Sequence, residues 1–96
     1  MKVLIIYDIT DDKLRQKVAD TLTAYGLTRV QKSAFLGTLR KETLKDLKAK
    51  LKRLIKQQRA NIQFYPLCPQ CYHRKEEIGT PTVNTKPITK EEIILV

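Results

Sequence analysis

The segment Val3-Leu4-Ile5-Ile6-Tyr7-Asp8-Ile9 is apolar except at Asp8, a pattern that predicts a short buried strand with a charge near its tip. Strand periodicity puts Leu4, Ile6 and Asp8 on one face and Val3, Ile5 and Ile9 on the other. Beyond Thr10-Asp11-Asp12, the residues Leu14, Val18, Leu22 and Tyr25 recur at helical spacing, which predicts a helix from about Asp12 to Tyr25 stopped by Gly26. Leu27 to Leu39 is rich in strand formers and too long for one strand in a domain this small, so it divides into two strands with a sharp bend near Gln31 to Ser33. Leu44, Leu47, Leu51, Leu54 and Ile55 mark a second amphipathic helix over about Glu42 to Gln58, with lysines on its outer face. Asn61 to Leu67 reads as a strand closed by Pro66 and Pro69, with Ile62 and Phe64 on one side and Gln63, Tyr65 and Leu67 on the other. Proline confines such a strand to an edge or an end. Gln70 to Lys90 is polar, and Glu92-Ile93-Ile94-Leu95-Val96 reads as a final short strand.

Strand, helix, strand, strand, helix, strand is an α+β order, that of the ferredoxin-like βαββαβ pattern, here with an extra C-terminal strand. The 96 residues make a single domain, 1–96. Two helices can cover only one face of the sheet, yet the first strand is apolar on both. A homodimer burying the second face answers this, and a two-fold axis there could bring the two Asp8 side chains together. The C-terminal strand, about residues 91–96, follows a linker longer than most and could be exchanged with the partner subunit.

An ionised carboxylate at the end of an apolar strand is costly to bury unless it is paired, hydrogen-bonded or on a metal. Asp8 could cap the next helix, but Thr10, Asp11 and Asp12 are better placed for that. Two Asp8 carboxylates facing each other would repel unless they shared a proton or a cation, and Mg²⁺ suits carboxylate oxygens while leaving room for water and phosphate. Asp8 is therefore the candidate catalytic and metal-binding residue. Arg15, Lys17 and Arg29 are the nearest candidate phosphate ligands by this topology.

Charge sharpens this reading. The net charge is +9 and the pI about 9.8, which favours an anionic partner such as RNA or duplex DNA. Residues 40 to 59 hold nine Lys/Arg and two acids, against six and four in residues 1 to 39 and four and four in residues 60 to 96. The excess therefore belongs to the second helix, where Lys48, Lys52 and Lys56 are candidate phosphate-contacting residues, unless they merely solvate it. No apolar run approaches the roughly 20 residues that span a bilayer, and the N-terminus lacks the pattern of a secretory signal, so a cytoplasmic protein without membrane association is expected. Cys68-Pro69-Gln70-Cys71, with His73 beyond, has metal or redox spacing but lacks a full ligand set. It reads as loop cysteines, a local disulfide, or part of a zinc site completed from elsewhere.

Taken together, Tyr7-Asp8-Ile9 before Thr10-Asp11-Asp12, then Arg15 and Lys17, then Gly26-Leu27-Thr28-Arg29-Val30-Gln31-Lys32-Ser33-Ala34-Phe35-Leu36-Gly37, then Tyr65-Pro66-Leu67-Cys68, the chain resembles the small universal CRISPR-associated protein, Cas family two. The resemblance covers nearly the whole chain. It implies a ferredoxin-like homodimer with Mg²⁺ held by Asp8 of each subunit, and cleavage of RNA or duplex DNA as in some members. It also implies a scaffold role in spacer acquisition, bridging dimers of the larger CRISPR integrase. Tyr7, Arg15, Arg29 and Phe35 match residues implicated around the family's site. Lys17 stands where some members have arginine, which keeps a charge and loses a bidentate fork. A toxin ribonuclease related to virulence-associated protein D is the alternative on the same fold.

Overall fold

The computed structural model describes residues 1–83. Its elements are β1 (Lys2–Ile9), α1 (Asp12–Ala24), β2 (Thr28–Gln31), β3 (Ala34–Thr38), α2 (Lys41–Ile55), β4 (Ala60–Leu67) and α3 (Pro69–His73). The four strands form one antiparallel sheet in the order β2-β3-β1-β4, the ferredoxin-like arrangement. The expected strand at 91–96, and with it any exchange between subunits, lies outside the described residues.

β1 is central because it can be buried from both sides. Val3, Ile5, Tyr7 and Ile9 point into a core with Leu14, Val18 and Leu22 of α1 and Leu44, Leu47 and Leu51 of α2. The Asp11 carboxylate caps α1, accepting from the Leu14 N–H at 2.8 Å. The helix closes on Gly26, at φ +89, with the Leu27 N–H donating back to the Leu22 carbonyl at 3.1 Å. That turn delivers Leu27 into the core beside Gly37. A Cβ at Gly37 would meet Leu27 Cδ2 at 2.5 Å, so glycine there is set by close approach.

Two expectations need correcting. α2 ends at Ile55, three residues before Gln58, with Lys56 at φ 45. The apolar stripe is exhausted at Ile55 and the chain must reverse to enter β4. Lys56 is therefore the exposed residue that closes the helix rather than part of its last turn. The polar stretch after β4 opens with a short helix rather than a loop. Pro69 sits at the first turn of α3, where its missing N–H costs nothing, and Tyr72 lies with its ring centroid 4.2 Å from Lys2 Nζ, tying α3 to the start of β1.

The two long helices leave one sheet face open. On it lie Leu4, Ile6 and Asp8 of β1, Leu36 of β3 and Asn61, Gln63 and Tyr65 of β4. Ile6 is 38% exposed and Tyr65 45%. β4, which carries Pro66, is an edge strand, as its proline required.

Candidate functional site

Asp8 is exposed at the C-terminal end of β1, opposite Asn61 of β4 and on the open face. It makes no hydrogen bond or ion pair with any described side chain, whereas its neighbours in the acidic turn are occupied. Asp11 caps α1, and Asp12 pairs with Arg15. The capping role that could have explained Asp8 therefore belongs to Asp11. Among the described residues no group of three or more His, Cys, Asp or Glu side chains is placed to hold a metal. Among the described residues, this end of the open face thus offers Mg²⁺ a single free carboxylate. That donor fits an ion bound through one or two carboxylates and several waters.

Tyr7, next to Asp8, points the other way. It is 2% exposed, and Phe35, opposite Ile5 on the neighbouring strand, is 1% exposed. Their rings stack with centroids 6.2 Å apart. Neither ring is on the surface of this chain, and both belong to its core. Arg29 is exposed at the rim of that core. Its guanidinium carbon lies 5.1 Å from the Phe35 centroid and its Nη2 donates to the Tyr7 hydroxyl at 3.4 Å. Arg15 is pinned at the tip of β1, donating from Nη1 to the carbonyls of Ile9 at 3.0 Å and Thr10 at 3.3 Å and from Nη2 to Asp12. Arg15 and Arg29 line one cleft together with Lys32.

Lys17 is not part of this grouping. Two residues along a helix is about 200° of rotation, and Lys17 lines a separate cleft with Lys13, Leu54 and Gln58. Lys48 and Lys52 are exposed on α2, in the helical layer that covers the face of the sheet opposite Asp8. Lys48 Nζ sits 5.3 Å from the centroid of Phe64. The fold therefore separates the lysine-rich surface from the open face that carries Asp8. From the sequence alone Lys32 reads as no more than a tolerable surface change. Its significance lies in which arginines it meets.

Cys68 and Cys71 are free and exposed. The Cys68 thiol is pulled below the ordinary cysteine range, chiefly by the backbone N–H of Cys71 and then by that of Gln70. Iodoacetamide at neutral pH is expected to label Cys68 ahead of Cys71, as read by peptide mass spectrometry. Equal rates would show that these N–H groups do not stabilise the thiolate.

Residues 1–75 match the family model described as CRISPR associated protein Cas2. The chain belongs to the Cas2 family. This decides between the two families that the sequence had left open. A protein of Pyrobaculum aerophilum named CRISPR-associated endoribonuclease Cas2 2 is 43% identical over 81 residues, covering 84% of this chain and 89% of that one. The crystal structure of Streptococcus pyogenes Cas2 superposes with a TM-score of 0.71 at 31% identity, covering 82% of this chain and all of that one. A chain of the partial Cas6-RT-Cas1–Cas2 complex does so with a TM-score of 0.71 at 30% identity, covering 92% of this chain and 97% of that one. Among the described residues no helix is long and apolar enough to cross a membrane.

Proposed function

We propose that this Cas2 protein works in CRISPR spacer acquisition as a homodimer joined through the open sheet faces. In this reading it is a Mg²⁺-dependent endonuclease on RNA or duplex DNA and a nucleic-acid-binding bridge to a Cas1-type integrase. The observation that carries the reading is Asp8, an exposed carboxylate without a partner among the described residues, on a half-apolar sheet face. Pairing two such faces would bury Ile6 and Tyr65 and give each Asp8 a twin. Mg²⁺, when bound, supplies charge neutralisation at a phosphodiester and a more acidic water. The chain's own part is to hold that ion through Asp8 and to engage the phosphate backbone with Arg15 and Arg29, whose planar forks match phosphate oxygens. The name of the Pyrobaculum relative supports ribonuclease activity, and the complex containing Cas1 and Cas2 supports the integrase partnership.

Light scattering tests the dimer, and incubation of labelled RNA and duplex DNA with Mg²⁺ or EDTA tests the nuclease. A monomer without metal-dependent cleavage would overturn the reading. The bridging role has its own test on α2. Reversing the charge of Lys48 and Lys52 is expected to weaken duplex binding irrespective of sequence and to flatten the slope of log affinity against log salt by about two. An unchanged slope would mean that these lysines only solvate the helix.

A further inference from the structure

The Tyr7 hydroxyl does work that packing does not require. Phenylalanine would fill the same core space, yet here a hydroxyl at the end of β1 joins two otherwise separate pieces of chain. It accepts from Arg29 Nη2 at 3.4 Å and donates to the Lys32 carbonyl at 3.3 Å, so one oxygen ties the β2 arginine to the β2–β3 turn. The turn is held a second time by the Tyr7 N–H, which donates to the Ser33 carbonyl at 3.0 Å. Phe35 backs the guanidinium of Arg29 from below, and the carbonyls of Ile9 and Thr10 fix Arg15 from the other side. The result is a cleft of ≈ 480 Å³ lined by Asp12, Arg15, Gln16, Arg29 and Lys32, with Val83 at its rim. Its one carboxylate, Asp12, is already engaged by Arg15. Neither Arg29 nor Lys32 has an acidic partner among the described residues.

We infer that this cleft is a phosphodiester-binding site in which Lys32 is a third phosphate-contacting cation beside Arg15 and Arg29, while the Tyr7 hydroxyl and the Phe35 ring are positioning groups that act through Arg29. Two held arginines and a neighbouring lysine around a cleft with one satisfied acid favour a ligand of concentrated negative charge. The two arginine forks favour phosphate oxygens over a single carboxylate. Pre-fixing Arg29 lowers the ordering cost of each contact it makes. The inference rests on the reading that the chain binds nucleic acid, but it assigns a place and a residue set that can fail separately.

Two probes separate the outcomes: inorganic pyrophosphate followed by the backbone amide resonances of residues 15, 29 and 32, and a short DNA duplex followed by anisotropy across a salt series. Pyrophosphate is expected to shift those resonances, and Lys32→Ala to flatten the duplex salt slope by about one. Tyr7→Phe should weaken duplex binding by about two- to fivefold, the loss of one long hydrogen bond to a charged group. That effect should vanish when Arg29→Ala is already present, which a merely structural role for the hydroxyl would not produce. A steep salt slope that Lys32→Ala leaves unchanged would keep nucleic-acid binding and overturn the cleft. A flat slope in the native protein would sink the underlying reading, and absence of pyrophosphate shifts would then overturn the cleft as well. A Tyr7→Phe effect that persists undiminished beside Arg29→Ala would reduce the hydroxyl to a fold-stabilising group. Lys32→Ala, at an exposed turn, tests the site even if Tyr7→Phe folds poorly.

Discussion

Asp8→Ala is expected to remove Mg²⁺-dependent cleavage, lowering the rate by roughly a hundredfold or more, while leaving the fold intact. The two halves of this expectation have different causes. Asp8 is exposed and holds no described partner, and the helix that follows is capped by Asp11. Its truncation should therefore shift stability by no more than about 0.5 kcal/mol, as for most surface changes. The chemistry has no such reserve, because the described residues offer no second free carboxylate at that point and a two-fold dimer would lose both ligands at once. Circular dichroism, light scattering and cleavage assays on the same preparation check all three parts. Undiminished cleavage would remove Asp8 from the mechanism, and a collapsed melting temperature would make it a structural acid.

Phe35→Ala should have the opposite profile, a loss of about 3–5 kcal/mol in stability, against the roughly 5–15 kcal/mol that holds a domain together. The ring is 1% exposed, lies against Tyr7, and sits on a strand that pairs with both β1 and β2. The cavity would open where the sheet joins the helical layer. Urea melts read the effect directly, with Phe35→Leu expected to lose much less. A variant as stable as the native protein would mean that the ring is not a core element.

The elements followed from local signals. The spacing of Leu14, Val18 and Leu22, the glycine after Tyr25 and the leucine stripe of α2 each specify structure through neighbours a few residues away. The opposite faces of β1 were equally legible, since alternation alone separates Asp8 from Ile5 and Ile9. Two departures came from signals weighed too lightly. Pro69 both closes β4 and starts α3, and the apolar stripe, which runs out at Ile55, ends α2 there. The grouping of Arg29, Tyr7 and Lys32 was not legible. Its hydroxyl contacts join residues 25 and 22 apart, and only the paired strands bring them together. The same holds for the separation of Lys48 and Lys52 from Asp8, which depends on the layer that α2 joins.

Tyr7 and Asp8 sit on opposite sides of one strand, so a single pleat sets both the interior and the exposed acid. A one-residue insertion or deletion within β1 would exchange their places, driving a carboxylate into the hydrocarbon interior and turning an aromatic ring out to water. Neither error could be relieved without the other. The length of this strand is therefore constrained far more tightly than its composition: isoleucine, valine and leucine can trade places along it, but the number of residues between Met1 and the acidic turn cannot drift.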